Sequence, residues 1–294
     1  MAGLRRRIQT CGPLLNVAYL AALGTVCVYC AQWYMHQPPR PLMAPICLSI
    51  IFGVYVLNRF TDTREDLANK VGVYHFFATR AFLLKAALGG IALAVAALAA
   101  TGSLRVYHLV LVSAGILYSY RLIPWYRPHT GVVFVRLKEL PLVKNLTVSF
   151  FWGTGVFVVP ALFSEKPIDD LRAVRLLGVS LAISTLVNTV YCDIRDEQGD
   201  RLANNNTLPV MFGIRRTFVF LSVITGLWIT AAAIMLAVQA VDIAHFLFVM
   251  ILGLYPAVYV LADRRLGVPE VVVDFLCESD LLLFAGGLVV LSVV

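Results

Sequence analysis

The stretch Tyr191-Cys-Asp-Ile-Arg-Asp-Glu-Gln-Gly-Asp200 ends a long apolar run and holds the densest group of carboxylates in an otherwise apolar chain. Asp193, Asp196 and Asp200 are spaced i, i+3 and i+7, so a helix through them would place the three carboxylates on one face. Such a face attracts divalent cations. The run before it, residues 173–192, has the length of a membrane-spanning helix. The stretch therefore predicts a transmembrane helix that ends in a cation-binding surface.

The composition extends this prediction to the whole chain. Of 294 residues, 60% are apolar and 14% are charged, and the mean hydropathy is +0.83. Soluble domains carry charges on about a quarter of their residues. We therefore expect an all-α integral membrane protein, a single domain over residues 1–294 with a short N-terminal segment at 1–12. Apolar runs predict about nine transmembrane helices, at 13–35, 41–58, 81–101, 105–123, 146–163, 173–192, 217–239, 243–262 and 270–294.

The net charge of +7 raises the possibility of a nucleic-acid partner, but the distribution of the basic residues indicates membrane topology instead. If the N-terminus is cytoplasmic, 18 of the 24 Lys and Arg residues fall on the cytoplasmic side and five on the other, with Lys85 inside a span. This asymmetry follows the positive-inside rule. We expect a multi-pass protein in the lipid bilayer, no nucleic-acid partner, and a polar site that faces the cytoplasm.

A second acidic stretch, Asn58-Arg-Phe-Thr-Asp-Thr-Arg-Glu-Asp66, ends an earlier apolar run. Asp62 and Asp66 are four residues apart and share a helix face. The pairs Asp62/Asp66 and Asp196/Asp200 each follow an even-numbered predicted span, four spans apart. This weak repeat favours a bundle with a pseudo-repeated half and a site where the related halves meet.

The loop between these two acidic stretches is basic. It follows Tyr118 at the end of the fourth predicted span and carries Arg136, Lys138, Lys144 and Asn145 before the fifth. Magnesium binds carboxylates together with phosphate oxygens and waters, and lysine or arginine would balance the charge of a leaving diphosphate. Together these features suit a magnesium diphosphate whose lipid chain lies in the apolar bundle.

At these residues the sequence resembles the UbiA superfamily of membrane prenyltransferases, in which two aspartate-rich motifs bind magnesium and a prenyl diphosphate. The family's first motif, Asn-Asp-x-x-Asp-x-x-x-Asp, is matched by Asn58, Asp62 and Asp66, with Arg59 in place of an acid. The second motif, Asp-x-x-Asp-x-x-x-Asp, is matched in full by Asp193, Asp196 and Asp200. Downstream, Thr207-Leu-Pro-Val210 and Gly213 resemble the segment that commonly follows it.

The resemblance implies ionisation of a prenyl diphosphate and capture of the carbocation by an acceptor. Asp66, Asp196, Lys138 and Lys144 are the candidate catalytic residues. The candidate Mg²⁺ ligands are Asp62, Asp66, Asp193, Asp196 and Asp200. The candidate substrate-binding residues are Asn58, Arg59, Tyr118, Arg136 and Asn145, together with Asn188 and Tyr191, which come within two turns of Asp193 on the same predicted helix.

Two other functions fit parts of this pattern. A terpene cyclase or diphosphate lyase would perform the same ionisation without an external acceptor. A cation or lipid transporter would use the acids as a pathway, although its charges are expected deeper within the spans. The sequence leaves open both the length of the prenyl chain and the acceptor, whether an aromatic ring, a quinone precursor, a tetrapyrrole, or a glycerol or sugar phosphate.

Overall fold

The structure is a computed structural model that describes residues 2–38, 40–62, 67, 71–127, 131–140, 142–163, 168–202 and 205–293, without the side chains of 2–13, 71–74 and 127. Helices dominate it. They are α1 (Ala2–Tyr34), α2 (Met43–Thr61), α3 (Val71–Ala78), α4 (Ala81–Ala100), α5 (Val106–Ser119), α6 (Val143–Leu162), α7 (Leu171–Arg195), α8 (Glu197–Leu202), α9 (Leu208–Phe212), α10 (Ile214–Ala237), α11 (Ile243–Leu254), α12 (Pro256–Arg264) and α13 (Glu270–Leu291).

Seven helices among the described residues are long and apolar enough to cross a membrane, so the expected count of nine is not confirmed. The fourth predicted span becomes α5, which has 14 residues and a length of about 21 Å, short of a hydrocarbon core of about 30 Å. The ninth becomes α13, which is long enough but carries Glu270, Asp274, Glu278 and Asp280. Apolar character alone therefore overestimated the number of clear spans.

The eighth predicted span is interrupted at Tyr255, where α11 ends and α12 begins. Pro256 is the first residue of α12, and it lacks the N–H that would continue the helical hydrogen-bond ladder. Tyr255 stays in the right-handed helical region, so the two pieces form one candidate span, Ile243–Arg264.

A two-stranded antiparallel hairpin interrupts the expected all-helical architecture. Strand β1 (Ile123–Arg127) pairs with β2 (Gly131–Val135), and a short 3₁₀ turn at Leu137–Glu139 follows. Both strands contain β-branched or aromatic residues, which fit a pleated surface better than a helix. The end of the predicted span 105–123 is therefore the start of a strand.

The chain divides into two compact units, each assembled from separate segments of the sequence. Unit 1 comprises Met1–Ala21, Pro45–Leu146 and Cys192–Ile214. Its core includes Val17, Val56, Phe76, Phe77, Leu83 and Ala87. The rings of Phe76 and Phe77 meet edge to face, with centroids 5.2 Å apart. This unit contains the ends of α2 and α7, where the two acidic stretches begin.

Unit 2 comprises Ala22–Ala44, Thr147–Tyr191 and Arg215–Val294. Within it, α6 and α7 approach closely at Gly153 and Gly178, where a Cβ on either glycine would come within 2.8 Å of the other's carbonyl oxygen. Small residues of this kind allow membrane helices to pack backbone against backbone. Buried Asp280 of α13 accepts a hydrogen bond from Ser184 of α7 at 3.2 Å.

Candidate active site

The first acidic end, Asn58 to Asp62, lies where α2 ends. The backbone N–H of Asp62 donates to the Asn58 carbonyl at 3.0 Å, so the helical hydrogen bonding continues to the aspartate. Asp62 is buried. Asp66, the other acid predicted for this end, lies outside the described residues. Of the two predicted carboxylates, the structure therefore describes only Asp62.

The basic loop after β2 packs onto this end of α2. The Arg136 Nη1 atom donates to the Thr61 carbonyl at 2.9 Å and pairs with Asp62 Oδ1 at 3.4 Å. Lys138 Nζ donates to Asn58 Oδ1 at 2.9 Å and also contacts Asp62 Oδ1. Residues more than 70 positions apart thus form one charged cluster, with two cations at a single carboxylate.

Glu139 holds the basic loop in this position, although the sequence did not single it out. Its Oε1 accepts from Arg136 Nε at 2.8 Å and from Arg121 Nη2 at 3.0 Å. Burial raises the pKa of Glu139, but the hydrogen bond from Arg121 and the charge of Arg136 outweigh it and leave the pKa below its ordinary value. The signal in the sequence was a lone acid within a run of basic residues.

Lys138 is buried and lies close enough to the cations Lys144 and Arg59 to be repelled by them. Burial, followed by the charges of Lys144 and Arg59, lowers the pKa of Lys138, and the charge of Glu139 opposes this shift. The carboxylate of Asp62, in direct contact with the amine, stabilises its protonated form. Its ammonium also lies 5.6 Å from the centre of the Tyr118 ring, within range of a cation–π contact. An anionic ligand would relieve the repulsion among these cations.

The second acidic end, Asp193 to Asp200, begins in the last turn of α7. Asp193 is almost fully buried, and both of its oxygens are bound from the start of α6. Lys144 Nζ pairs with Oδ1 at 2.6 Å, and Asn145 Nδ2 donates to Oδ2 at 2.9 Å. Lys144 and Asn145, both predicted from the sequence as site residues, thus contact Asp193, which was also predicted.

The helix expected to carry all three carboxylates of this end is interrupted at Asp196, where α7 has ended and α8 has not begun. Backbone bonds from Asp196 to Cys192 and from Asp200 to Asp196 still bridge the bend, at 3.0 and 2.9 Å. Among the residues the structure describes, no three His, Cys, Asp or Glu side chains are arranged to hold a metal ion.

Asp200, the last carboxylate of the second acidic end, is buried and only partly hydrogen-bonded by the described residues. It is 4% exposed, and its Oδ2 has no hydrogen-bond partner among the described residues, while Oδ1 accepts weakly from Asn205 at 3.3 Å. Burial raises its pKa to about 6; Lys144 opposes this shift, and Asp193 reinforces it. A buried carboxylate oxygen without a partner suits Mg²⁺, which takes oxygen ligands and combines few carboxylates with phosphate and water.

Two predicted substrate-binding residues, Asn188 and Tyr191, form hydrogen bonds to other residues of unit 2. Asn188 Nδ2 donates to the Cys277 carbonyl at 2.8 Å, and the Tyr191 hydroxyl donates to Asp263 Oδ2 at 2.5 Å. The Tyr191 ring also packs beside Tyr259, with centroids 5.2 Å apart. These contacts join α7 to α12 and α13, so both side chains have a structural role there. The sequence did not single out Asp263 as the partner of Tyr191.

The remaining predicted residues that the structure describes lie together in unit 1. Its described part brings two acidic ends, three loop cations and two asparagines into a single compact unit. The charges of Lys138 and Lys144 are close enough to interact, which links the two ends through the basic loop. This arrangement provides oxygen ligands for a divalent cation and nitrogen donors for an oxygen-rich anion.

Comparison with curated proteins finds relatives that share one name. A digeranylgeranylglyceryl phosphate synthase from Methanoculleus marisnigri is 27% identical over 210 residues, which cover 69% of this chain and 64% of the relative. One from Methanothermobacter thermautotrophicus is 30% identical over 125 residues, 42% of this chain and 38% of the relative. The chain thus matches less than two thirds of the length of these relatives.

Solved structures show the same fold over nearly the whole chain. A UbiA homolog from Archaeoglobus fulgidus bound to GPP and Mg²⁺ has a TM-score of 0.63 at 14% identity, covering 96% of this chain and 100% of that one. The apo UbiA homolog from Aeropyrum pernix K1 has a TM-score of 0.65 at 15% identity, covering 93% and 98%. At such low identity the likeness concerns the fold.

The family itself follows from a sequence model of the UbiA prenyltransferase family, which matches residues 21–276. That range contains both acidic ends, the basic loop and all seven candidate spans in whole or in part. The chain belongs to the UbiA prenyltransferase family and is an integral, multi-pass membrane protein.

Proposed function

We propose that this protein is a magnesium-dependent prenyltransferase that moves a prenyl group from a prenyl diphosphate to a lipophilic or small acceptor. The observation that carries the proposal is the basic loop in contact with both acidic ends. Lys138 and Arg136 reach Asp62, and Lys144 and Asn145 reach Asp193. One segment of chain thereby connects two oxygen-rich ends, which suits a ligand that is itself a magnesium-bound diphosphate.

In this proposal each group of residues has a separate task. Asp193, Asp196 and Asp200 would hold Mg²⁺, with Asp62 and Asp66 contributing at the first end. Magnesium, when bound, would neutralise diphosphate oxygens as a Lewis acid. Arg59, Arg136, Lys138 and Lys144 would bind the remaining oxygens, and Asn58 and Asn145 would orient their neighbours by hydrogen bonds. Tyr118 would lie beside the Lys138 ammonium.

The chemical step breaks the bond between the allylic carbon and the diphosphate oxygen. The electron pair leaves with the diphosphate, and the positive charges of the basic loop stabilise that growing negative charge before it has fully formed. The acceptor then forms a bond to the allylic carbon and loses a proton. Burial of Asp193, Asp200 and Arg136 keeps water away from these charges and strengthens their interactions.

The relatives' name points to a first acceptor for testing. Proteins named digeranylgeranylglyceryl phosphate synthase align with 69% of this chain or less. We infer that a prenylated glycerol phosphate belongs among the first acceptors offered. Donors of increasing length should be tried with it, since their relative transfer rates would report the length of prenyl chain that the protein accepts.

The decisive experiment uses the purified protein in lipid nanodiscs with a labelled prenyl diphosphate, Mg²⁺ and a panel of acceptors. Asp196→Asn is expected to reduce transfer by roughly 100-fold or more, because it removes a carboxylate from the metal-binding end. The matched control is Asp169→Asn, an exposed aspartate in unit 2, which should retain full activity. Full transfer by Asp196→Asn, or full transfer without divalent metal, would refute the proposal.

Product analysis separates transfer from the related ionisations. Incubation with the prenyl diphosphate alone should leave the donor largely unconsumed if an external acceptor completes the reaction. Rapid formation of a cyclic or linear hydrocarbon without an acceptor would identify a cyclase or lyase instead. Binding of no prenyl diphosphate in the presence of Mg²⁺ would favour a transporter.

We also propose that the N-terminus and the active site face the cytoplasm, on the basis of the asymmetric distribution of Lys and Arg. A reporter fused after the first acidic stretch and one fused after residue 40 should report opposite sides of the membrane. The same side for both, or the reverse assignment, would overturn this orientation.

A further inference from the structure

The β-hairpin of unit 1 has two faces of unequal character. Opposite residues in an antiparallel pair point to the same side, and successive residues alternate between sides. The register pairs Pro124 with Phe134 and Tyr126 with Val132, so these four side chains share one face. We call them the outer face of the hairpin.

The outer face is apolar and open. Tyr126, Val132 and Phe134 are 70%, 65% and 60% exposed, and Pro124 is exposed beside them. The other face is less open: Val135 is only 3% exposed, and Trp125 at 46% is less exposed than Tyr126, Val132 and Phe134. When one face of an antiparallel sheet meets water, that face is normally polar. The outer face therefore indicates surroundings other than water.

The position of the hairpin identifies those surroundings. It follows α5 directly and precedes α6, which is a candidate membrane span. Because α5 is about 21 Å long, it covers less than a hydrocarbon core of about 30 Å, so a chain that crosses here would complete the passage with the residues that follow the helix. Tyrosine and other aromatic residues favour the boundary between headgroups and acyl chains.

A positive charge next to the hairpin, that of Arg121, is consistent with a position at the membrane interface. The Arg121 side chain, just before β1, is 58% exposed although it also pairs with Glu139. A cation at this point suits the phosphate groups of lipids. An apolar surface next to an exposed cation is the pattern of a segment that lies in the membrane interface.

We propose that the outer face of the hairpin inserts into the boundary between lipid headgroups and acyl chains. Strand β2 ends one residue before Arg136, so this anchor also holds the basic loop at the level of the membrane surface. A lipid-tailed donor arriving within the bilayer would then meet the loop cations without leaving the membrane. The anchoring does not depend on the proposed prenyl transfer.

The test measures the depth of a single tryptophan. The chain has four, Trp33, Trp125, Trp152 and Trp228. In the probe protein all four become Phe and Tyr126→Trp places the reporter on the outer face. The control replaces only Trp33, Trp152 and Trp228, leaving Trp125, which belongs to the opposite face of the same strand. Both proteins are placed in nanodiscs with lipids brominated in the upper acyl chain, and acrylamide serves as the aqueous quencher.

The expected result is at least twofold quenching of the residue-126 reporter by brominated lipid and weak quenching by acrylamide. Trp125 should be quenched less by the lipid than the outer-face reporter. Efficient acrylamide quenching at residue 126, without lipid quenching, would overturn the proposal by placing the face in water. Protection from both quenchers would also overturn it, because protein would then cover the face. Phe134→Trp, in place of Tyr126→Trp, repeats the measurement if the first probe fails to fold.

Discussion

The two acidic ends of the site differ in how their carboxylates are neutralised. At the first end, Asp62 meets two cations, Arg136 and Lys138. At the second end, Asp193 meets a single ammonium, that of Lys144, and a neutral amide, while Asp200 keeps a buried oxygen without a hydrogen-bond partner among the described residues. The described part of the first end is therefore rich in positive charge, and the second is rich in negative charge.

This difference suggests a division of labour within the proposed function. A site rich in cations binds phosphate oxygens directly, and a site rich in carboxylate oxygens binds magnesium. Arg59, which stands where the family's first motif has an acid, adds to the positive charge of the first end. Substitutions at the two ends should consequently alter different measurable quantities.

The largest expected effect is at the first end. Lys138→Met should lower the transfer rate at saturating Mg²⁺ and donor by about 100- to 1000-fold, because a buried cation no longer stabilises the leaving diphosphate. The affinity for Mg²⁺ should change little. Steady-state rates and calorimetric titration with Mg²⁺ measure the two quantities separately. Lys85→Met, at an exposed lysine in the same unit, serves as the control. An unchanged rate in Lys138→Met would contradict the division of labour.

The next effect is at the second end. Asp200→Asn should raise the apparent Kd for Mg²⁺ by about 10- to 100-fold, while the rate at saturating Mg²⁺ falls much less, because one oxygen ligand has become weaker. A magnesium titration of the transfer rate gives both values. Glu197→Gln, earlier on the same short helix, should leave the titration unchanged. A large loss of rate without a change in Kd would assign Asp200 to the leaving group instead.

The pH dependence should also distinguish the second end. Burial raises the pKa of Asp200 to about 6, so the carboxylate is ionised above that pH and takes up a proton below it. Since the proton and Mg²⁺ compete for the same oxygens, the apparent Kd for Mg²⁺ should rise about tenfold from pH 7 to pH 5. The part of this change due to Asp200 should vanish in Asp200→Asn. Identical pH profiles in the two proteins would exclude Asp200 as the titrating group.

The smallest expected effect concerns the support of the basic loop. Arg121 is 58% exposed in its pair with Glu139, and such pairs contribute less than about 1 kcal/mol. Arg121→Ala should therefore change the transfer rate by less than roughly fivefold. Glu139→Gln should cost more, because it also releases the buried Arg136. Equal effects of the two substitutions would show that Arg136 keeps its position without Glu139.

Both acidic ends were identifiable from the sequence because their signals are local. An apolar run followed by aspartates at helical spacing places carboxylates at the end of a span without knowledge of its neighbours. The side chains that pair with those carboxylates could not be predicted from local sequence patterns. Lys138 and Asp62 are separated by 76 positions, and no spacing rule relates residues on different segments.

The differences between the structure and the expectations have the same origin. Hydropathy predicted one span over 105–123, but the helix there covers only Val106–Ser119 and the chain enters a strand at Ile123. Asn188 and Tyr191 lie near Asp193 along the helix, yet their side chains bond to Cys277 and Asp263. A polar side chain in a helical bundle bonds to whichever donor or acceptor packs against it, and that neighbour depends on the fold.

The sequence by itself determined that the chain is a helical membrane protein with two acidic helix ends and a basic loop, because apolar length and residue spacing act locally. Only the tertiary structure decided that Lys138 and Arg136 contact Asp62 and that Lys144 contacts Asp193. It also decided that a buried oxygen of Asp200 has no hydrogen-bond partner among the described residues. Charge pairing depends on distances across the bundle, which are set by the packing of distant segments.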